Sequence, residues 1–421
     1  MSIDRRKAVL FGTAAAVRLL LFTGFPGLPD LLTGRVEIST PVTSFKRLQE
    51  GLFLYNHNVS PYDGGVYHQA PLLLPLFSLL PSSSSHPVFT YILYILVDLL
   101  SADALMKIAD SGEAGCSKLF TSPRKDRRWS SFAVAAAFLF NPFTIATCIG
   151  RPSSVFTTCA ILQAIAKAVV GASYTSMFAL ALASYLSMYP ILLFPPLALL
   201  CFDRRPSSRE TESVSSFIFG CLASVGGSIY ALLQMSLIIT GSWEFLSSTY
   251  GVQLLLPDLT PNVGLWWYFF VEMFDSFRNF FLGVFWLHLS SYVGGLTIRI
   301  RTQPLFVLTT LLGIFSIFKP YPSISDMSLY LAMLPLYRHI FPLMRYTFLA
   351  ASTVLYATLL GPAFYYLWIY AGSGNANFFY AITLVWNLAL SILVGDVLFA
   401  VLRDEWEVER PEMIGKEIRQ M

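Results

Sequence analysis

Long apolar runs dominate this sequence, and they restrict the chain to folds in which lipid surrounds much of the surface. A straight membrane-spanning helix needs about 20 predominantly apolar residues. Eight runs approach or exceed that length, near residues 8–24, 87–108, 129–148, 152–170, 215–240, 264–290, 347–370 and 378–402. Only 13% of the 421 residues are charged, compared with about 25% in soluble domains. The sequence therefore predicts an all-α polytopic membrane protein, with residues 1–421 forming a single integral membrane domain.

Four shorter apolar runs lie near 173–188, 190–202, 304–318 and 326–342. They are grouped in pairs around Tyr189-Pro190 and Lys319-Pro320, which is typical of short helices placed back to back in a membrane. With these runs included, we expect about 12 transmembrane helices. The segment 70–80 is too short to cross and is flanked by proline, so we expect it to be half-embedded at one face.

The positions of the basic residues predict the orientation of the chain. If the N-terminus is cytosolic, 21 of the 28 lysines and arginines fall on the cytosolic side, and cytosolic loops carry such an excess. Arg18 interrupts the first apolar run, which therefore indicates a retained signal anchor and not a cleaved signal peptide. Both termini are then cytosolic, residues 25–69 form a long luminal loop, and residues 403–421 form a cytosolic tail. Within the loop, residues 44–55 have the spacing of an amphipathic helix on the membrane surface.

Several function classes are disfavoured by what the sequence lacks. The net charge of +3 is too small for a nucleic-acid surface. The five cysteines show no CxxC spacing and the five histidines form no HxxxH pair, so we expect no metal site. No phosphate-binding or dinucleotide motif implies a cofactor, and no catalytic triad falls within one short stretch. The sequence is more typical of a lipid-handling scaffold than of a complete hydrolase.

The first of three polar clusters is the segment 256–262, which contains Asp258 and Asn262 and leads into Trp266 and Trp267. Its two prolines stiffen it, and the tryptophans place it at the membrane interface. The two polar side chains are candidate contacts for a lipid headgroup or glycan. The alternative is a simple helix entry in which Asn262 is a cap.

The second cluster is Glu272, Asp275 and Arg278, at a spacing of three along one aromatic run. This spacing predicts one shared helix face on which Asp275 and Arg278 pair and Glu272 remains for another partner. Ionisable groups inside a membrane usually face a cavity or a protein contact. A structural ion pair that docks neighbouring helices is the alternative to a functional site.

The third cluster is the turn 371–377, in which Asn375 and Asn377 follow two glycines between aromatic spans. Glycines let a ligand approach the backbone, and two carboxamides offer donors and acceptors to sugar hydroxyls or phosphate. Asn377 could instead be the N-cap of the helix that begins near Phe378.

On the cytosolic side, five arginines are candidate contacts for phospholipid headgroups, with simple topology determinants as the alternative. They are Arg204, Arg205, Arg209, Arg299 and Arg301.

The sequence also resembles a known family at these same positions. The strings that carry the resemblance are Arg35-Val36-Glu37, Thr40-Pro41, Lys46-Arg47, Glu50-Gly51, Ser60-Pro61-Tyr62, Asn141-Pro142-Phe143-Thr144, Pro257 to Asn262, Trp267-Tyr268-Phe269-Phe270, Glu272-Met273-Phe274, Leu367 to Ser373 and Asn377 to Leu384. They follow one another over nearly the whole chain and are similar to the PIG-U family of glycosylphosphatidylinositol (GPI) transamidase subunits. That family is implied to be a non-catalytic subunit in the endoplasmic reticulum membrane.

The resemblance implies both partners and a ligand. The complex replaces a C-terminal signal peptide with a GPI anchor; the catalytic cysteine belongs to PIG-K, and PIG-T, PIG-S and GAA-one are further partners. The implied role of this subunit is to present the GPI glycolipid. Asp258, Asn262, Asn375 and Asn377 would then take polar contacts, and an aromatic helix over 266–285 would flank the acyl chains.

A second family resemblance leaves a competing function open. The implied fold is a GT-C mannosyltransferase-like bundle, and Ser60-Pro61-Tyr62 and Asn141-Pro142 look like the ends of luminal loops in those enzymes. A dolichol-phosphate-mannose-dependent mannosyltransferase is therefore the alternative function. Those enzymes carry paired acids, whereas Glu37 stands here without an acidic neighbour, so we expect binding of a glycolipid without sugar transfer. A transporter is disfavoured because the intramembrane charges concentrate in one run.

Overall fold

The computed structural model describes residues 5–81, 85–206 and 213–416. Over these residues the chain is helical, and extended pairing is limited to an isolated bridge between Cys116 and Thr121. In lipid, backbone polar groups need partners within the chain, and helices supply them within each apolar run. The all-α prediction is therefore confirmed.

The helices occupy most of the predicted runs. In the first half they are α1 (Arg5–Gly24), α2 (Leu28–Thr33), α3 (Phe45–Asn56), α4 (Leu73–Ser78), α5 (Pro87–Asp110), α6 (Ser131–Leu139), α7 (Pro142–Gly150), α8 (Ser154–Val169), α9 (Ser173–Leu186) and α10 (Phe194–Asp203). In the second half they are α11 (Val214–Thr240), α12 (Glu244–Leu246), α13 (Val252–Leu255), α14 (Trp266–Glu272), α15 (Asp275–Arg299), α16 (Pro304–Phe318), α17 (Ile324–Met333), α18 (Thr347–Ile369) and α19 (Ala376–Glu409). Segments of 3₁₀-helix lie at Tyr189–Leu193, Leu334–Leu343 and Pro411–Met413.

Six helices in the described ranges are long and apolar enough to cross a membrane, namely α1, α5, α11, α15, α18 and α19. The bent pair α6 and α7 would make a seventh span. The structure therefore supports a polytopic membrane protein but does not confirm about 12 spans. The predicted helix boundaries near Tyr189-Pro190 and Lys319-Pro320 are confirmed, because α9 ends at Leu186 and α16 ends at Phe318.

Two predicted runs are interrupted. Asn141 accepts a hydrogen bond from the Phe143 N–H at 2.9 Å and Pro142 follows, so α7 starts afresh at 53° to α6. In the aromatic run, Met273 and Phe274 adopt extended backbone (ψ 143° and 134°) and separate α14 from α15. A single helix over 266–285 is therefore wrong.

The core lies where α16 meets α10, α17 and α19. Almost every residue of α16 is buried, as expected for a helix that is apolar on all faces. Gly313 makes the close approach to α19 possible, since a Cβ there would lie 2.7 Å from Cγ2 of Val394.

The helix predicted within residues 44–55 is present as α3, which buries Phe45, Leu48 and Gly51. At the other end of the chain, α19 has 34 residues and is about 50 Å long. It therefore extends beyond the hydrocarbon core of roughly 30 Å. Residues 403–409, predicted to begin a tail, continue this helix, and the tail starts after Glu409.

A candidate lipid-binding cavity and its polar surroundings

An apolar cavity of about 320 Å³ lies between α7, α18, α19 and the start of the loop over residues 25–69. Its lining is apolar apart from a few side chains: Arg35, Glu37, Thr358 and Thr383. Gly361 and Pro362 form part of the α18 wall. A Cβ at Gly361 would meet only Cγ2 of Ile382, at 4.0 Å, so the glycine keeps the wall thin. The cavity suits a hydrocarbon chain.

An ion pair forms the polar part of this wall. The Arg35 guanidinium donates to both carboxylate oxygens of Glu37, at 2.7 and 3.0 Å, and lies 5.7 Å from the ring centroid of Tyr365. The Glu37 carbonyl accepts a hydrogen bond from the Ile324 N–H at 2.9 Å. Because both oxygens of Glu37 are engaged by a cation, its carboxylate is poorly placed to accept a proton from a substrate.

The turn 371–377 connects α18 to α19. Gly372 has φ +64°, a conformation that favours glycine, and the N–H groups of Ser373 and Gly374 both donate to the Leu367 carbonyl at 3.0 Å. Asn375 caps α19, because its side chain accepts a hydrogen bond from the Phe378 N–H at 3.3 Å. The alternative that Asn377 is the N-cap is therefore wrong.

Asn377 has a different contact. Its side-chain oxygen accepts a hydrogen bond from the Tyr268 hydroxyl, and both asparagines are exposed. Asn375 and Asn377 therefore lie together at one end of α19, and the next turns of that helix, at Phe379 and Thr383, line the cavity.

An aromatic cluster holds α14 against this end of α18 and α19. The Trp267 ring is 6.2 Å from that of Trp368, 6.1 Å from Phe379 and 5.8 Å from Tyr380. Trp267 is 2% exposed, and within the described ranges its indole N–H has no acceptor. Offset and edge-on ring contacts each add about 0.5–1.5 kcal/mol beyond burial, so this cluster is a rigid border of the cavity.

The side chains of the segment 256–262 are engaged within the protein. Asp258 pairs with Arg47 of α3 at 2.9 Å and accepts a hydrogen bond from the Thr260 N–H at 2.9 Å. Burial alone would raise the pKa of Asp258, but the Thr260 hydrogen bonds and the Arg47 charge lower it below its usual value. Asn262 is fully buried; it donates to the Thr260 carbonyl and accepts from the Gly264 N–H.

The intramembrane polar cluster is divided between two helices. Glu272 ends α14, whereas Asp275 begins α15. Arg278 donates to the carbonyls of Leu255 (3.2 Å) and Leu256 (2.5 Å) at the end of α13. The predicted Asp275–Arg278 pair is wrong, because the Arg278 guanidinium instead satisfies carbonyls that the C-terminal end of α13 leaves unpaired.

Most of the candidate headgroup arginines have protein contacts. Arg204 pairs with Glu113, Arg301 donates to both Asp203 oxygens at 2.7 and 2.9 Å, and Arg299 lies 3.6 Å from Glu405. Arg205 stacks on the Phe202 ring, 3.9 Å from its centroid. Arg209 lies outside the described residues.

Sequence reasoning missed the cavity itself and its polar pair. In the sequence, Arg35-Val36-Glu37 stands out as a family signature, and Glu37 as an acid without an acidic neighbour, but neither indicates that Arg35 and Glu37 pair beside a cavity. Arg35 and Glu37 lie two residues apart in a loop, where no helical or strand period brings them together, so periodicity gives no signal. Among the described residues, no group of three His, Cys, Asp or Glu side chains is placed to hold a metal ion.

Comparisons with known proteins agree on one family. The family model described as "GPI transamidase subunit PIG-U" matches residues 12–386. The chain is 34% identical over 412 residues to the Homo sapiens protein named "GPI-anchor transamidase component PIGU", covering 93% of each chain. It is 35% identical over 393 residues to the Saccharomyces cerevisiae "GPI transamidase component GAB1", also covering 93% of each.

Proposed function

This chain belongs to the PIG-U family of GPI transamidase subunits, and on that premise we propose that it holds the GPI lipid for attachment to the C-terminus of precursor proteins. The single observation that carries the proposal is the apolar cavity beside the turn 371–377. An acyl chain of the glycolipid enters between α18 and α19, and the glycan and phosphate remain at the polar end.

The polar contacts divide into two groups by their accessibility. Asn375 and Asn377 are exposed beside the cavity and contact the glycan or phosphate directly. Asp258 and Asn262 are bound to Arg47, Thr260 and the backbone; we propose that they shape the neighbouring segment. Glu272 and the cytosolic-side Arg205 and Arg299 are secondary candidates, for the glycolipid and for phospholipid headgroups respectively.

The proposed setting is the endoplasmic reticulum membrane, with both termini cytosolic and the cavity opening near the luminal side. The fold is proposed as a GT-C-like bundle in which short helices such as α8, α10 and α16 raise the number of spans towards 12. The partners are PIG-K, which carries the catalytic cysteine, with PIG-T, PIG-S and GAA-one. This chain then acts without a catalytic residue of its own.

The mannosyltransferase alternative is not supported. The relatives are named as transamidase components. The acid at the corresponding position, Glu37, is held at both oxygens by Arg35.

Adjacent residues of α18 provide a matched test. Thr358 lines the cavity, whereas Leu359 is 66% exposed on the lipid-facing side. In cells that lack this chain, Thr358→Phe should fill the cavity and reduce surface GPI-anchored proteins, and Leu359→Phe should restore them fully. Lipid extracts of the purified complex, analysed by mass spectrometry, should contain less GPI for Thr358→Phe.

The two measurements separate binding from assembly. Both variants should co-purify with the partner subunits in equal amounts. Normal GPI content and normal surface display for Thr358→Phe would contradict the proposal that this cavity holds the lipid.

A further inference from the structure

A second apolar recess lies between α1 and α6. Its volume is about 920 Å³, and it is open to the surroundings of the protein. Its walls include Val9 and Thr13 of α1, and Ala133 and Phe140 of the α6 segment. None of its lining residues also lines the cavity beside α18. This groove, which we call the α1–α6 groove, therefore needs an occupant of its own.

The length of the α6 wall is close to the hydrocarbon thickness of one leaflet of a bilayer. The wall formed by α6 has 9 residues, about 14 Å at 1.5 Å per residue. Half of a hydrocarbon core of roughly 30 Å is about 15 Å. The 53° bend at Asn141-Pro142 ends this wall. A hydrocarbon chain from one leaflet fits this length.

One end of the groove is cationic. Arg5 and Arg6 line it at the N-terminus of α1, and Ser130, the N-cap of α6, lines the same end. The Ser130 hydroxyl accepts a hydrogen bond from the Ala133 N–H at 3.3 Å, and the N–H groups of Ser131 and Phe132, which have no partner within the helix, belong to this same end. Every charged side chain that lines the groove is basic. The helix N-terminus adds partial positive charge.

We propose that the α1–α6 groove binds a phospholipid with an anionic headgroup, drawn from the leaflet at the chain's N-terminal side. The headgroup phosphate and carboxylate or inositol lie at Arg5, Arg6 and the start of α6, and one acyl chain lies along Val9 and Ala133. The basic end and the apolar wall follow one another as headgroup and acyl chain do in a phospholipid. A zwitterionic lipid also brings a phosphate, but it has no net negative charge to match the two arginines.

Photolabelling of the purified complex in nanodiscs tests this site. The probes are phosphatidylserine and phosphatidylcholine that carry the same diazirine on one acyl chain, with labelled peptides identified by mass spectrometry. We expect phosphatidylserine to label α1 and α6 in preference to phosphatidylcholine. Each basic side chain near anionic lipid contributes about 1 kcal/mol, so the double variant Arg5→Gln/Arg6→Gln should lower this preference roughly thirtyfold.

A charge-matched control separates the groove from the general surface potential. Lys118→Gln/Lys167→Gln removes two positive charges from residues that do not line the groove, and it should preserve the preference. Because loss of Arg5 and Arg6 could also disturb insertion, Ala133→Phe provides a variant that keeps every charge. Ala133 is exposed in the groove, so the phenylalanine should fill it without disturbing the core and reduce labelling by both probes.

Three results would overturn the proposal. They are equal labelling of α1 and α6 by the two probes, an unchanged preference in Arg5→Gln/Arg6→Gln, and unchanged labelling in Ala133→Phe. Each would mean that the groove holds only exchangeable surrounding lipid.

Discussion

The two ends of α19 differ in how their polar side chains are used. At the C-terminal end, Asp404 and Glu407 are each 1% exposed and both accept hydrogen bonds from Arg124, while Arg403 donates to Glu407 at 2.8 Å. At the N-terminal end, Asn375 and Asn377 are exposed, with one hydrogen bond each.

The two ends therefore differ in whether their polar groups are bound within the protein or remain able to bind a ligand. Buried charges that are paired fix the position of a helix, and removing one partner leaves the others unsatisfied. Exposed carboxamides next to a cavity retain donors and acceptors for a ligand. The C-terminal end of α19 is therefore an anchor, and the N-terminal end is the candidate contact surface.

The largest effect is expected at the anchor. Arg124→Ala leaves two buried carboxylates without their shared cation and should destabilise the chain by about 3–5 kcal/mol. Arg299→Ala removes a guanidinium whose side chain is 67% exposed and 3.6 Å from Glu405, and should cost at most about 1 kcal/mol. Both losses of stability can be measured by heating the purified complex with a thiol reagent and following the rate at which the buried Cys201 is labelled. The labelling midpoint is the temperature of half-maximal labelling. Equal labelling midpoints for the two variants would mean that the buried pairs of Arg124 do not anchor the C-terminal end of α19.

A smaller effect is expected in the middle of α19. In Gly313→Ala, the new Cβ would lie 2.7 Å from Val394 and 2.9 Å from Tyr330, which should destabilise by about 1–3 kcal/mol through overpacking. Gly395, one residue beyond Val394, has open space around its Cβ position. Gly395→Ala should therefore stabilise the helix by about 0.5–1 kcal/mol. In the same Cys201 labelling assay, the midpoints of the two variants should shift in opposite directions. Shifts of both midpoints in the same direction would contradict this packing.

The helix positions could be predicted from the sequence because each apolar run carries its own signal. The run 304–318 coincides with α16, and Asn141-Pro142 already contained the cap and the proline that divide α6 from α7. The ion pairs could not be predicted in the same way. Arg124 and Asp404 are 280 residues apart, and Arg278 reaches carbonyls more than 20 residues before it.

The candidate site shows the same limit. The turn 371–377 was identified because its polar residues are consecutive, and Asn375 and Asn377 do lie together. The cavity beside them needs α7, α18, α19 and the loop at Arg35, which only tertiary packing brings together. Local patterns therefore predicted the border of the site but not its interior.

The cap at the start of α19 should have a moderate effect. Asn375→Ala removes the acceptor for the Phe378 N–H and should cost about 1 kcal/mol. Asn375→Asp keeps an acceptor and should restore the Cys201 labelling midpoint. If Asp were as destabilising as Ala, the side chain would not be acting as a cap.

The smallest effect on stability is expected at Asn377. This residue also gives the sharpest test of whether the exposed polar groups at the N-terminal end of α19 bind a ligand. Asn377→Leu removes one exposed hydrogen bond with Tyr268. The free energy of unfolding, followed through the Cys201 labelling midpoint, should therefore change by less than about 0.5 kcal/mol. If Asn377 contacts the glycolipid, the same change leaves a ligand group unpaired at a cost of about 1–3 kcal/mol, roughly a five- to hundredfold loss of occupancy. Surface GPI-anchored proteins should then fall at limiting expression while assembly stays normal.

Tyr268→Phe is the matched control for Asn377→Leu, because it removes the same hydrogen bond and leaves the carboxamide in place. It should preserve surface display if the ligand contact matters, and reduce display as much as Asn377→Leu if only the Tyr268–Asn377 bond matters. Normal display for both variants would mean that the N-terminal end of α19 is no more available to the ligand than its C-terminal end.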